Sequence, residues 1–203
     1  MKTEIQKRIG ALALLALLTL CLRPSTTFAQ AWGNFVLSSS PIVGNQPNSV
    51  VTVDVNGDGK VDLICANGLD NTLSVLTNDG SGDFTLASTL NVGGFPYGVA
   101  AADVNGDGKM DLICGNPNAN ALTVLTNDGS GGFAIASTPA AGIQAEYPIA
   151  ADVNGDGKVD LVCANASSIS SANTITVLTN DGSGNFTLAS ALTVGSNPRW
   201  VTA

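Results

Sequence analysis

The chain has 203 residues, of which 44% are hydrophobic and only 12% are charged, and it contains 4 Cys and no His. This composition excludes a disordered acidic tail and a small disulfide-bonded scaffold, and 8 basic against 16 acidic residues exclude a basic nucleic-acid binder. Without histidine, neither a Ser-His-Asp nor a Cys-His mechanism is available. We therefore expect one globular domain with no nucleic-acid partner.

The first 29 residues have the pattern of a secretory signal peptide. Lys2, Lys7 and Arg8 form a positive head, and the apolar run 11–22 follows it. Small residues precede the predicted cleavage point after Ala29. An uncleaved membrane anchor stays open as the alternative, although the apolar run is short for a span. We expect a secreted protein, extracellular or at the cell surface, without a membrane span after cleavage of residues 1–29.

The remainder of the chain, residues 30–203, repeats itself every 49 residues. A nine-residue loop of the pattern D-x-N-G-D-G-K-x-D occurs at 54–62, 103–111 and 152–160. The third unit carries four extra residues around 167–172, which we expect to lengthen a surface loop. A fourth unit begins before the sequence ends, so we expect the chain to stop inside a repeat, as a fragment of a longer protein.

The apolar pattern within each repeat is typical of β-strands. In the middle repeat we predict strands at 97–102, 112–114, 121–126 and 133–137, with a turn rich in Asn, Asp and Gly at 127–132. No sustained helical period occurs in the repeats. Four short strands in about 40–50 residues are the size of one propeller blade. The predicted fold class is therefore all-β, a partial β-propeller of four-stranded blades.

Two kinds of side chain are expected to serve packing alone. Cys65, Cys114 and Cys163 recur in apolar strands, so we predict buried, unpaired thiols. A buried phenylalanine is expected to anchor the turn between the third and fourth strand of each repeat. Scarce aromatic residues elsewhere are expected to pack singly rather than form a sugar-binding platform: Trp32, Tyr97, Tyr147 and Trp200.

The nine-residue loop has the composition of a calcium site. Asp54, Asn56 and Asp58 place side-chain oxygens on one side of a tight turn, Lys60 can offer its carbonyl oxygen, and Asp62 returns a carboxylate. Calcium takes roughly six to eight oxygen ligands, so a water or a bidentate Asp62 would complete the shell. Three carboxylates so close together repel one another unless a cation neutralises them. A metal-free turn is the structural alternative.

The same five ligand positions recur in the other two loops, so we predict about three Ca²⁺ sites. They are Asp103, Asn105, Asp107, the Lys109 carbonyl and Asp111, then Asp152, Asn154, Asp156, the Lys158 carbonyl and Asp160. Mg²⁺ avoids all-protein cages and Zn²⁺ requires His or Cys ligands. An EF-hand or a dockerin needs an acid at position 12 and a following helix, whereas position 12 here is a cysteine in an apolar strand.

The order of loop, strand and Gly-Phe turn resembles the VCBS/FG-GAP repeat. The motif at 103–114, followed by 121–133, carries this resemblance, which extends over about 33–203. The family is similar to the blades of the integrin α-chain propeller, and the resemblance implies calcium on the fifteen ligand positions above. The Gly-Ala-Pro element is approximated only at 115–117. Three loops are too few for a closed ring, so the predicted propeller is open.

These features predict a secreted, calcium-binding repeat module that binds an extracellular protein or carbohydrate, as in adhesion. No catalytic residue is predicted, because the acids are repeated identically and are assigned to the cation. Two alternatives stay open. The chain is either the non-catalytic part of a larger secreted hydrolase or lyase whose catalytic domain lies outside it, or a structural spacer of a surface protein.

Overall fold

Every regular element in the described part of the chain is a β-strand. The structure is a computed structural model that describes residues 39–166 and 173–202. The predicted signal peptide and the predicted insertion in the third repeat lie outside the described residues. Within the described ranges, no helix is long and apolar enough to cross a membrane. The prediction of an all-β fold is confirmed.

The strands form three four-stranded antiparallel sheets, each built from consecutive strands. Sheet 1 contains β1 (Pro47–Val53), β2 (Asp62–Asn67), β3 (Thr72–Asn78) and β4 (Phe84–Asn91). Sheet 2 contains β5 (Val99–Ala102), β6 (Asp111–Asn116), β7 (Ala121–Asn127) and β8 (Phe133–Ser137). Sheet 3 contains β9 (Ala145–Ala151), β10 (Asp160–Asn165), β11 (Thr174–Asn180) and β12 (Phe186–Thr193). Each sheet corresponds to one repeat, and the predicted four strands of the middle repeat are all present.

The second strand of each sheet is the most deeply buried element. Every residue of β6 and of β10 is buried. Both strands lie inside their sheets, with a hydrogen-bonded neighbour on each side. The fourth strands lie at an edge of their sheets, and most of their residues are exposed or half-buried.

The hydrophobic core lies in two layers, one on each face of sheet 2. Leu112 and Cys114 of β6 belong to a cluster shared with sheet 1. Ile113, between them in sequence, belongs to a second cluster shared with sheet 3. Successive side chains of a strand point to opposite faces, so β6 contributes to both layers. Sheet 2 is therefore packed between the other two sheets.

The packing predictions for cysteine and phenylalanine have different outcomes. Cys65, Cys114 and Cys163 are buried and unpaired, as predicted. Burial raises the pKa of the Cys114 thiol, which keeps it protonated and unreactive. Phe133 is only half-buried, although it packs against the core between sheets 1 and 2. Phe133 therefore packs against the core at the predicted place, but it is less buried than predicted.

The connections between successive sheets share one unusual backbone conformation. Phe95 and Gln144, which precede the first strands of sheets 2 and 3, have φ angles of 61° and 56°. Their N–H groups donate to the side-chain oxygens of Asn71 and Asn120 in the preceding sheet, at 2.9 and 3.0 Å. Positive φ is uncommon for non-glycine residues. The asparagine side chains therefore hold each sheet in a defined position relative to the next.

Candidate metal centre

The three nine-residue loops connect the first and second strands of their sheets. Each loop turns sharply because its two glycines adopt positive φ, as in Gly57 at 74° and Gly59 at 79°. The equivalent glycines of the other loops have φ between 76° and 83°. The structure thus repeats one loop geometry three times, as the sequence pattern predicts.

The aspartate at position 1 holds the loop in its folded form. The Gly57 and Gly59 N–H groups donate to the two carboxylate oxygens of Asp54, both at 2.8 Å. Asp103 and Asp152 accept the equivalent pairs at 2.7–2.9 Å. The Asp54 oxygens each keep a further lone pair for another ligand. Asp103 Oδ1 differs, because it also accepts the Asp107 N–H at 3.2 Å.

Positions 3 and 5 are held by shorter turns of the same kind. The Asp58 N–H donates to Asn56 Oδ1 at 3.0 Å, and the Lys60 N–H donates to Asp58 Oδ1 at 2.9 Å. This bond from Lys60 is the main cause that lowers the pKa of Asp58 below its ordinary value. The Lys60 ammonium also lies 3.6 Å from Asp58 Oδ2. The exposed carboxylate at position 5 is therefore ionised and partly neutralised by its own loop.

The carboxylate at position 9 is the buried member of the set. Asp62, Asp111 and Asp160 all have exposed fractions of 0%. Asp111 accepts one backbone N–H on each oxygen, from Val104 at 3.1 Å and from Asn127 at 2.8 Å. Asp62 and Asp160 accept the equivalent pairs of bonds. The last ligand position of each loop thus lies below the surface, while the earlier positions lie nearer to solvent.

Burial disfavours the ionised form of the Asp111 carboxylate. Loss of solvent raises the pKa of Asp111, and the negative charges of Asp107 and Asp103 raise it further. The lysine of the same loop pairs with the exposed acid instead, because the Lys109 ammonium lies 3.6 Å from Asp107 Oδ2. A buried carboxylate beside like charges, with only amide partners, is stabilised by a nearby cation.

The donor set fits a hard, oxygen-binding cation. Each loop offers carboxylate, amide and carbonyl oxygens, which calcium prefers, and no nitrogen or sulphur ligand. In the described residues, no three acidic or cysteine side chains lie close enough together to hold an ion by themselves. The predicted sites also depend on an amide and a carbonyl oxygen, so the fifteen predicted ligands stay a prediction.

The loops also form part of the contact between neighbouring sheets. Asn127, at the end of β7, donates from Nδ2 to the Val55 carbonyl of the preceding loop at 2.8 Å. Asn180, at the end of β11, donates in the same way to the Val104 carbonyl at 2.7 Å. Cavities of about 290 and 300 Å³ lie at these two junctions. The loop of one sheet is therefore fixed by the turn of the next.

Three aromatic side chains form a cluster, so the prediction that they pack singly is wrong for this group. The ring centroids of Tyr97 and Tyr147 are 5.3 Å apart, and those of Tyr147 and Trp200 are 4.9 Å apart. A cavity of about 340 Å³ beside them is lined by Tyr147, Trp200 and the first strands. The sequence signal that was missed is position in the repeat: Tyr97 precedes β5, Tyr147 lies within β9, and Trp200 lies in the run that opens the next unit.

An ion pair between a buried glutamate and an exposed arginine lies beside this cluster. Glu146 is 8% exposed, and its Oε2 is 3.9 Å from Nη1 of Arg199. Burial raises the pKa of Glu146, and the charge of Arg199 acts in the opposite direction. The cluster adjoins the starts of the first strands, whereas the nine-residue loops follow their ends. The two features therefore lie at opposite ends of the sheets.

Solved structures of similar fold are found at low sequence identity. A functionally unknown protein from Desulfotomaculum acetoxidans DSM 771 has a TM-score of 0.56 at 13% identity, over 73% of this chain and 43% of that chain. BBS1N, in a complex with ARL6DN soaked with mercury, has a TM-score of 0.51 at 13% identity, over 79% and 48%. The V. cholerae biofilm matrix protein Bap1 has a TM-score of 0.49 at 20% identity, over 78% and 22%.

The chain spans less than half the length of each of these proteins. At 13% identity, the similarity to the Desulfotomaculum acetoxidans protein and to BBS1N shows a shared fold and no shared function. No curated protein matches the sequence. The FG-GAP-like repeat, in contrast, matches three times in succession, at residues 54–114, 103–163 and 152–203. Each match begins at the first aspartate of a nine-residue loop, and together they cover most of the sequence. The chain belongs to the FG-GAP-like repeat family.

Proposed function

We propose that this chain is a secreted, calcium-binding, β-propeller-type module that binds an extracellular protein or carbohydrate and performs no chemistry. The observation that carries the metal proposal is the carboxylate at position 9. It is completely buried in all three loops, and its partners are backbone N–H groups rather than a basic side chain. Three identical sites of this kind are best explained by three bound cations.

The propeller-type arrangement is supported by how the sheets meet. The first strands of neighbouring sheets contact each other, β1 with β5 and β5 with β9. The sheets pack face to face in chain order, with one core cluster at each junction. This is the arrangement of successive blades around an axis. In this proposal the described sheets are three blades of an open propeller.

The proposed role of the cation is structural. Each loop supplies the carbonyl to which the next sheet binds, at Val55 and Val104. An ion that draws the loop oxygens together would therefore also stabilise the junction between sheets. The absence of histidine from the sequence and the identical repetition of the acids favour a non-catalytic module.

Calcium titration tests the metal proposal. We expect the purified chain to bind three Ca²⁺, one per loop, and to melt at a higher temperature with calcium than with EDTA. Ligand at a hundred times its dissociation constant stabilises the folded state by about 2.7 kcal/mol per site. Isothermal titration calorimetry gives the stoichiometry, and differential scanning calorimetry gives the melting temperature. An identical melting temperature in calcium and in EDTA would remove the metal from the proposal.

A pair of matched variants assigns the binding to the loops. Asp58→Asn removes one predicted ligand charge, so we expect the stoichiometry to fall from three to two, or one site to weaken. Asp83→Asn removes a charge from the same sheet outside the nine-residue loop, and we expect three sites to remain. If both variants reduced calcium binding equally, the binding would depend on net charge rather than on the nine-residue loops.

The aromatic cluster is the surface on which we expect a carbohydrate or a protein segment to bind. Aromatic rings offer large apolar faces at low entropic cost. Trp200 is 68% exposed, so Trp200→Ala is not expected to disturb folding. Glycan arrays and cell-binding assays should show binding that Trp200→Ala abolishes. Leu188→Ala, at a residue 62% exposed on β12, is the control that should retain binding.

A further inference from the structure

The face of sheet 3 that points away from sheet 2 differs from its equivalents in one measurable way. The second residue of each nine-residue loop is a valine. Val55 and Val104 are 1% exposed because the next sheet covers them, whereas Val153 is 49% exposed. Identical side chains in identical loops thus differ in burial according to whether another sheet follows. Among the described residues, Val153 therefore marks a junction surface that no further sheet covers.

The strands of sheet 3 show the same difference. Ile175 and Val177 of β11 are half-buried. The equivalent residues of β3, Leu73 and Val75, are 0% exposed, because sheet 2 packs against them. The apolar strand face that is buried at both junctions is thus only half-buried on the outer side of sheet 3, and an exposed apolar face is a potential contact surface.

Sheet 1 carries the complementary face. The side chain of Asn78 donates from Nδ2 to the Val61 carbonyl of its own sheet at 3.0 Å. Its equivalent Asn127 makes that same bond, to Met110, and a second one to the Val55 carbonyl of the preceding sheet. Within the described part of the chain, the amide of Asn78 therefore makes no bond of the kind that crosses a junction.

Apolar residues of β1 and β2 show the same difference on sheet 1. Val50 is 59% exposed, whereas its equivalent Val99 packs into the core between sheets 1 and 2. Leu63 is half-buried, whereas its equivalent Leu112 is 0% exposed. Sheet 1 thus presents the face that sheets 2 and 3 each use to bind the sheet before them.

We propose that the free face of sheet 3 binds sheet 1 of a second copy of this chain. In this head-to-tail contact, Asn78 of the second copy donates to the Val153 carbonyl, in the same way as Asn127 donates to Val55. The contact continues the two junctions already present, so it needs no new geometry. A head-to-tail pair forms a closed ring when the rotation that relates one copy to the other brings the remaining two faces together. Two copies would supply six sheets, within the range of about 4–8 in closed propellers. This inference goes beyond the proposed function and rests on the propeller-type arrangement proposed there.

The oligomeric state of the full chain tests this contact. We expect self-association in light scattering coupled to size exclusion, at concentrations up to about 100 µM. Val153→Asp places a charge in the contact and should weaken association about tenfold or more. Leu188→Asp is the matched control, since its equivalent Ile135 is 54% exposed even in the central sheet and so lies outside any junction. Circular dichroism verifies that both variants fold.

A mixing experiment tests the head-to-tail character of the contact. Asn78→Asp keeps the shape of the side chain and removes its donor, so this variant should also lose self-association. A mixture of Asn78→Asp and Val153→Asp chains contains one intact pair of faces, and we expect it to form a dimer again. A wild-type chain that stays monomeric over the whole concentration range overturns the proposal. Association that Val153→Asp leaves unchanged overturns it as well.

Discussion

Each sheet contains two connections of nearly the same composition, which differ in how they treat their acids. The nine-residue loop buries its last carboxylate, as at Asp111, and burial raises the pKa of that group. The turn between the third and fourth strand leaves its carboxylate exposed, as at Asp128, and N–H donors lower the pKa of that group. Both connections are rich in Asn, Asp and Gly. The burial of the carboxylate, rather than the local composition, therefore distinguishes the candidate ion site from the ordinary turn.

The turn satisfies its carboxylate within five residues. Asp128 Oδ1 accepts the Ser130 N–H and the Ser130 hydroxyl, both at 2.7 Å, and the Gly132 N–H at 3.1 Å. These donors stabilise the ionised form without a cation. The buried Asp111 has two N–H donors and two acidic neighbours instead. Asp111 therefore lacks the local compensation of charge that Asp128 has.

The largest expected effect comes from removing the buried acid. Asp111→Ala leaves the buried N–H of Val104 and that of Asn127 without an acceptor. We expect the free energy of unfolding to fall by about 2–4 kcal/mol, since each unsatisfied buried donor costs roughly 1–3 kcal/mol and relief of the buried charge offsets part. Urea unfolding in EDTA measures this effect without a contribution from bound metal.

The matched change in the turn is Asp128→Ala. Its donors are solvent-accessible, so water replaces the lost carboxylate and we expect a much smaller loss of stability. Equal losses in the free energy of unfolding would show that the buried and the exposed acid contribute equally to stability, contrary to this prediction.

A second, intermediate effect is expected at the junction between loop and turn. Asn127→Asp removes the donor that bonds the Val55 and Met110 carbonyls, while its shape is kept. We expect a loss of roughly 1–3 kcal/mol in the free energy of unfolding. Asn78→Asp in sheet 1 loses only the bond to Val61, so its loss should be smaller. Urea unfolding measures the loss of stability in each variant. A larger loss in Asn78→Asp than in Asn127→Asp would contradict the role assigned to the junction.

The smallest effect is a shift in titration at the turn. Ser130→Ala removes one of the donors to Asp128, so we expect the pKa of Asp128 to rise toward its ordinary value. A carboxylate whose pKa is lowered on folding adds stability above its unfolded pKa, and that stability is lost as pH falls through the folded pKa. The variant should therefore lose less stability in acid. NMR titration of the carboxyl group reads the pKa directly, and an unchanged value would show that the hydroxyl is irrelevant.

Much of the fold could be predicted because it is local and repeated. The strand 133–137 is present with the predicted bounds, and the strand predicted at 97–102 begins only at Val99. Loop geometry at positions 1, 3 and 5 also follows from sequence, since Asp and Asn side chains bond to N–H groups two to five residues ahead. These contacts depend on neighbours along the chain, which a sequence pattern displays.

Features that depend on contacts between sheets could not be predicted. The cluster of Tyr97, Tyr147 and Trp200 arises where neighbouring repeats meet. Gly115 is another case, since a Cβ there would clash with the Glu146 backbone of sheet 3. A periodic sequence shows which residues are equivalent. It does not show which of them another sheet will cover.

The amino-acid sequence by itself determined the 49-residue period, the four strands of each unit and the oxygen-rich loops, because turn chemistry and strand alternation act over a few residues. Only the tertiary structure decided that sheet 2 is covered on both faces and that Val153 is exposed where Val55 and Val104 are buried. The physical reason is that burial is a property of packed surfaces, and identical repeats acquire different surroundings according to their place in the stack.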